Sequence, residues 1–461
     1  MLSRTDMSAH PPSAPPVRAA LLGFGFAGRT FHAPLIQATE GLELRVVASS
    51  QPDAVRAQVP GATVVASARE AATHPDVDLV VIATPNESHA PLAEAALRAG
   101  KHVVVDKPFT VTLAEARVLW ALVRKQRVSL SVFHNRRWDS DFLALRTVIA
   151  EGLLGRVTHL ESRFDRFRPE VRQRWREQAV PGAGVWQDLG PHLVDQALQL
   201  FGLPEKVHAQ LARHRDGAQV DDWCQVTLVY PRRHVVLQAS MLVSGGLPRF
   251  AVHGTKGSWL KYGMDTQEEQ LRAGKRPGSA GWGLDPSPGL LLTGDARNGT
   301  PTVAPPGNYL RYYAMLRDSL RNSDRNPVTS TQALAVVSVM EAAVRAAESG
   351  REQTPDLTKD ERVEFTSDFD VGVPSHSTGT AEVGARALMM AIQAVDAELR
   401  QLEESTEAAG EDADPDDQLL MLSYWKTAEE LRNAYLHATE TVINLPPYEQ
   451  LVRPRGPKKQ G

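Results

Sequence analysis

The chain holds 461 residues, carries a formal net charge of −4 from 51 basic and 55 acidic side chains, and is 42% hydrophobic. That length calls for two or three domains and allows a sizeable core, and the near-balanced charge speaks against a protein dominated by nucleic-acid contacts. The single cysteine, Cys224, excludes an intramolecular disulfide and any zinc site built on a cysteine pair, and is expected to be a small core residue. No apolar run approaches a membrane span. Residues 1–16, rich in Pro, Ser and Ala, lack the apolar stretch of a secretory signal and read as a disordered arm, so a cytoplasmic protein without a membrane or nucleic-acid partner is expected.

From Val17 the chain alternates apolar runs with helical stretches. Val17 to Phe24, Leu44 to Ala48, Leu79 to Ala83, His102 to Val105 and Leu130 to Phe133 read as strands, and 27–38, 90–99 and 112–126 as helices. Strands this apolar are buried on both faces, which predicts a doubly wound parallel α/β sheet over 17–135 with its ligand edge at the strand C-termini. From there to about 355 the pattern changes to an α+β domain with a large, mainly antiparallel open sheet. Its strands are expected at 156–166, 206–214, 222–230, 234–243 and 249–261, and its helices at 188–201, 308–322 and 330–349. The Gly- and Pro-rich stretch 265–307 reads as one long loop. Residues 356–380 read as a linker, and 381–461 as a helical hairpin too small to form a core alone, which must dock on the body or on another subunit.

Six clusters carry candidate chemistry. Gly23-Phe24-Gly25-Phe26-Ala27-Gly28 follows the first strand and opens a helix, the arrangement that lets backbone amides hold a pyrophosphate. At the end of the second strand, where an NAD protein usually places an acid, Ser49 and Ser50 stand instead; their hydroxyls suit a 2′-phosphate, which favours NADP over NAD, although the same serines suit a capped turn. Thr84, Asn86 and His89 follow the third strongly apolar strand, and Asp106-Lys107-Pro108 the fourth. A lysine directly after a buried strand needs solvent or a partner for its charge; its ammonium can polarise a substrate oxygen, although a lysine that snorkels to the surface fits the same position. In Gln187–Asp195, a helix beginning near Leu189 would be capped by Asp188, with His192 as a base and Asp195 orienting its ring. Arg136, Arg137 and Trp138 leave a strand at the same edge and are candidates for a substrate wall. No spacing of His, Cys or Asp suggests a metal site.

These features in this order resemble the Gfo/Idh/MocA oxidoreductases over roughly 17–350. The matching elements are the GFGFAG turn, the TPNESH segment, the DKP tripeptide and the pair formed by Asp188 and His192. The phrase His134 to Asp139 looks like the branch containing NADP-dependent scyllo-inositol dehydrogenases. The resemblance implies that Lys107 is the catalytic-site lysine, which also meets the cofactor, that His192 is the acid/base, and that Asp188 is its acidic partner. It implies hydride transfer between NADP or NAD and a polyol, cyclitol or sugar. Asp106 departs from the Glu of most members. A homo-oligomer, dimer or larger, is expected. Two rival functions share the fold: a non-catalytic nucleotide-binding regulator, which has no need for Lys107 and His192, and an NAD-dependent glycosidase. Nothing familiar covers 381–461.

Overall fold

The computed structural model describes residues 15–294, 298–322, 324–365, 385–409 and scattered positions between 424 and 452. The expected arm up to Ala14, the expected linker beyond Phe365 and most of the second helix of the expected hairpin lie outside these residues. The chain divides into two compact units, Met1–Ser375 and His376–Gly461.

The first unit contains two sheets. One is six-stranded, from β1 (Val17–Leu22), β2 (Leu42–Ala48), β3 (Thr63–Val65), β4 (Leu79–Ile82), β5 (His102–Val105) and β6 (Leu130–Val132). Its order is β3-β2-β1-β4-β5-β6, and every pairing is parallel. The expected doubly wound sheet is therefore present. All four residues of β4 are buried, as a strand covered on both faces must be. The helices between the strands are α1 (Ala33–Ala38), entered through the wide π-turn Gly28–His32, then α2 (Pro52–Gln58), α3 (Ala68–Ala72), α4 (His89–Arg98) and α5 (Leu113–Gln126). A capping box of Thr112 and Glu115 starts α5. Strand order reverses between β1 and β4, which opens a crevice at their C-terminal ends.

After α6 (Ser140–Ala150) comes the second sheet, built on β7 (Val157–Arg163) and covered by α7 (Val185–Phe201). Its further strands are β8 (Lys206–Ala212), β9 (Trp223–Tyr230), β10 (Arg233–Ser240), β11 (Phe250–Gly254) and β12 (Gly257–Lys261). The segment expected as one strand over 249–261 is thus a hairpin of two. The expected loop 265–307 is also corrected: it contains α8 (Gln267–Arg272), β13 (Gly289–Thr293) and β14 (Thr300–Thr302). Leu290 to Leu292 pair with β12, and Gly289 lies where a Cβ would sit 2.3 Å from the Trp259 ring. The glycines that suggested a loop admit a bulky neighbour. The order is β14-β13-β12-β11-β7-β10-β9-β8, antiparallel except for β7 beside β10. Burial alternates along β9, and Cys224 is a buried core residue on it.

Two further helices follow, α9 (Leu310–Asn322) and α10 (Ser330–Ser349), and α10 packs on α5, α7 and β8, so one helix ties both sheets together. The first part of the expected linker is helical instead: α11 (Lys359–Glu364) begins with a Thr358–Glu361 capping box and is held to α5 by Arg117 Nε on Glu361 Oε1 at 2.8 Å. In the second unit, α12 (Ala385–Ala409) buries Ile392 and Leu399, one face of the helix, and the Tyr435 hydroxyl donates to Pro446 O at 2.7 Å. Among the described residues no helix is long and apolar enough to cross a membrane.

The exit of β6 is fixed to α7 by a buried ion pair. Arg137 Nε and Nη2 donate to the two Asp195 oxygens at 2.9 and 2.6 Å, and Nη1 donates to Pro327 O and Gln332 Oε1. The side chains are 1% and 2% exposed, so neither charge is solvated. Removing one partner strands the other in a medium that cannot hydrate it. Asp195→Ala is therefore expected to destabilise the protein by about 3–5 kcal/mol, read as a lower urea midpoint, whereas an unchanged midpoint would contradict this role.

Candidate functional site

The turn after β1 meets the steric demands of a dinucleotide site. Gly23 has φ +92°, and a Cβ there would lie 2.6 Å from Ala83 O; a Cβ on Gly28 would lie 2.1 Å from Gly23 O. Gly25 instead faces open space, with nothing within 4 Å of an added Cβ. The Arg29 amide bonds Gly25 O at 3.0 Å, so helical bonding starts there and the amides just before it have no preceding turn to bond. A tight turn, a close helix and one open side fit a pyrophosphate.

At the exit of β2, Ser50 is exposed, while Ser49 Oγ accepts from the Gln51 amide at 2.9 Å and so shapes the turn. Arg56 pairs with exposed Asp53 at 3.0 Å. At the exit of β4, His89 is buried, with Nδ1 2.8 Å from Pro108 O and Nε2 2.9 Å from Thr84 O, so its ring bridges the loops after β4 and β5. The Thr84 hydroxyl accepts from Ser88 Oγ at 2.6 Å, and Asn86 Nδ2 donates to Gly182 O at 3.3 Å.

Beside the glycine turn lies a cavity of about 390 Å³. Phe26 and Ala27 reach it from the turn, Lys107 from β5, Arg136 from β6, and Asp188 and His192 from α7. Of the remaining residues singled out in the sequence, Gly23, Gly25, Gly28, Ser49, Ser50, Thr84, Asn86 and His89 do not line it. Arg137 and Trp138 do not line it either, which corrects the expected substrate wall. Arg137 is spent on Asp195, and Trp138 is buried against the Tyr312 ring. Arg136 does face the cavity, braced by Asp139 at 3.1 Å and Glu268 at 2.9 Å.

Lys107 Nζ donates to the Asp188 carbonyl at 2.8 Å and to its carboxylate at 3.1 Å. Arg176 Nε lies 3.5 Å from the same Oδ1. Burial alone would raise the Asp188 pKa, but the charges of Lys107, Arg176 and Arg166 outweigh it and hold the carboxylate below its usual range. Asp188 is not the helix cap: α7 starts three residues earlier, at Val185. The capping carboxylate is Asp221, whose Oδ2 accepts from the Trp186 amide at 2.7 Å, and Gly184 at φ +103° leaves it room. His192 is one turn beyond Asp188. Asp195 does not orient its ring, because Arg137 holds that carboxylate; among the described residues His192 Nδ1 has no hydrogen-bond partner. Burial first, then the Lys107 and Arg136 charges, push the His192 pKa well down. Neighbouring His134 is pushed down to about 4, chiefly by burial.

Sequence reasoning missed much of the wall. Phe31, His32, Phe133 and Asn135 line the cavity, and so do Glu268 and Arg272 of α8. It also missed Arg166, Arg168, Arg172, Arg174 and Arg176 from the loop after β7. Five arginines within eleven residues were a readable signal.

Residues 17–134 match the oxidoreductase family with an NAD-binding Rossmann fold, and 142–260 the GFO/IDH/MocA C-terminal domain. Residues 382–451 match a family described as T6SS immune protein Tsi2-like. The chain is 51% identical to the oxidoreductase YdgJ of Escherichia coli K12 over 72% of its own length and 96% of that protein. It is 36% identical to the NADP⁺-dependent scyllo-inositol 2-dehydrogenase IolW of Bacillus subtilis, over 73% and 95%. A solved oxidoreductase structure from Klebsiella pneumoniae aligns with TM-score 0.72 at 56% identity, over 75% of this chain and 98% of that one.

A histidine whose pKa is depressed stays neutral until the pH falls below its ordinary value of 6.5, so His192 holds an open proton-accepting nitrogen at neutral pH. Imidazole ¹⁵N resonances are expected to show His192 neutral from about pH 6 to 8. Lys107→Met, by removing the charge that depresses it most after burial, should move its titration upward. A His192 that titrates near its ordinary value in the wild type would refute the electrostatics described here.

Proposed function

Because the chain belongs to the Gfo/Idh/MocA family of nicotinamide-dependent oxidoreductases, we propose that it moves a hydride between NADP and the carbinol carbon of a polyol, cyclitol or sugar. One observation carries this reading: Lys107 and His192 line the same cavity as Phe26 and Ala27 of the phosphate turn. The substrate class is supported by relatives named for scyllo-inositol and inositol oxidation.

In this reading the nicotinamide, when bound, supplies the two-electron acceptor for hydride leaving the substrate carbon. The chain handles the proton. His192, kept neutral by burial and by the neighbouring cations, takes the hydroxyl proton as the C–O bond becomes a carbonyl, and returns it in the reverse direction. Lys107 directs its ammonium at the same oxygen and stabilises the negative charge that develops on it. Asp188 fixes the ammonium through two hydrogen bonds and is a positioning residue. The glycine turn takes the pyrophosphate. The preference for NADP rests on the serines at 49 and 50, where no acid repels a 2′-phosphate. A non-catalytic regulator would leave the Lys107–Asp188 arrangement without a use.

Assaying polyols and cyclitols with NADP and NAD by reduced-nicotinamide absorbance tests the reading. Lys107→Ala and His192→Ala are each expected to lower turnover by about 100-fold or more, with cofactor affinity retained. Near-normal turnover in both variants would remove the assignment. Ser50→Asp is expected to weaken NADP binding far more than NAD binding in a fluorescence titration, because its carboxylate would face the 2′-phosphate. Equal loss for both cofactors would place the 2′-phosphate elsewhere.

A further inference from the structure

The cavity is strongly asymmetric in charge. Lys107 and seven arginines line it, against only three carboxylates, those of Asp106, Asp188 and Glu268. These carboxylates are already engaged: Asp188 with Lys107 and Arg176, Glu268 with Arg136 and Arg272, while Asp106 lies 3.9 Å from His32 Nε2. Arg174 has Glu177 at 2.7 Å. Three arginines are left over. Among the described residues no carboxylate lies within ion-pair distance of Arg166, Arg168 or Arg172, although all three line the cavity.

A run of charge ordinarily faces solvent, where water hydrates each group. This run instead lines a cavity: Arg166, Arg168, Arg172, Arg174 and Arg176 follow one another through a coil that ends in the short 3₁₀ turn Trp175–Glu177, and all five reach the same concave wall. Arg166 and Arg168 are only partly exposed, and Arg172 is exposed. The pKa values of Arg166 and Arg168 are lowered first by burial; for Arg168 the next cause is repulsion from Arg166, Arg172 and Arg174. Clustered like charges in partial burial cost free energy that an anion would recover, and the guanidinium fork matches phosphate and carboxylate oxygens.

The geometry points to an anion subsite formed by Arg166, Arg168 and Arg172 in the cavity that His192 also lines, which binds a phosphate or carboxylate group carried by the substrate. This rests on the proposed hydride chemistry for taking the ligand to be the reacting alcohol: a polyol or sugar phosphate, or a sugar acid, rather than a neutral cyclitol. The cofactor's own phosphates are the competing source of the same chemistry. They have the glycine turn and the β2 exit to bind, and neither position lies in the arginine loop.

The test uses the full chain saturated with NADPH, so that the cofactor's phosphate positions are filled. Inorganic phosphate, titrated calorimetrically, is expected to bind. The double variant Arg168→Gln/Arg172→Gln should bind it about tenfold or more less tightly while keeping its NADPH affinity, which also verifies folding. In a kinetic arm, glucose is compared with glucose 6-phosphate and glucuronate, and myo-inositol with its monophosphate. The anionic member of a productive pair is expected to have a kcat/KM higher by about tenfold or more, a preference that shrinks in the double variant and with added salt. No phosphate binding to the NADPH-saturated protein, or binding indifferent to the double variant, overturns the subsite. Loss of NADPH affinity in that variant overturns it too, by giving the arginines to the cofactor. Neutral and anionic alcohols turned over equally well overturn it while leaving the hydride chemistry standing. Phosphate binding without turnover of any alcohol supports the subsite and sinks the proposed reaction instead.

Discussion

One carboxylate, Asp188, organises the charge of the cavity. It sits in the first turn of α7 and, together with the carbonyl of its own residue, accepts hydrogen bonds from Lys107 at the exit of β5. Its position depends on a cap supplied from elsewhere. Asp221 satisfies the start of α7, Gly184 makes room for that cap, and Asp188 is thereby left to face the cavity. The Arg137–Asp195 pair does similar work further along the helix: it anchors α7 to the β6 exit and removes from the cavity one arginine and one acid that the sequence placed beside it. The register of α7 against the six-stranded sheet is thus set by two ion pairs, one sealed and one open to the cavity. The sealed pair holds the helix still and the open pair shares its charge with the site.

Much of this is legible in the sequence. Buried parallel strands announce themselves by unbroken apolar runs, and the residues at their C-terminal ends, Gly23 through Gly28 and Lys107, follow from that placement alone. His192 and Asp188 were legible as a pair because helical spacing of four puts them on one face. What failed were inferences about partners. Asp195 is as near to His192 along the helix as any orienting acid should be, yet Arg137, distant in sequence, takes both its oxygens. Asp188 has the composition of a cap, but capping is decided by which carboxylate reaches the free amides, and that is a tertiary matter. Glycine misled in a different way. Around 265–307 it signalled a loop, whereas Gly289 is glycine because an indole packs on it within a strand. His89 looked like a cofactor ligand from its place after β4, and its ring instead joins two loops from inside.

The five arginines after β7 are dense enough to be noticed in the sequence, but their placement is decided by folding: coil and a short 3₁₀ turn bring all five to one concave wall. The second unit poses the reverse problem. Ile392 and Leu399 show the apolar face expected of α12, and residues 382–451 match a family described as T6SS immune protein Tsi2-like, a likeness the helical pattern by itself did not disclose.

The charge distribution bears directly on how a neutral base could be held ready. Every cation near His192 disfavours its protonation, so the cavity keeps the imidazole unprotonated but also makes it a weak base. Hydride transfer from an alcohol calls for a base strong enough to take the hydroxyl proton. Burial comes first among the causes of the depression, then Lys107 and Arg136, so the basicity of His192 is set by the walls around it and by the lysine proposed to meet the substrate oxygen. The proposed anion subsite stands on a different loop of the same cavity, and its part is to bind and orient the substrate so that the hydroxyl reaches His192 and Lys107.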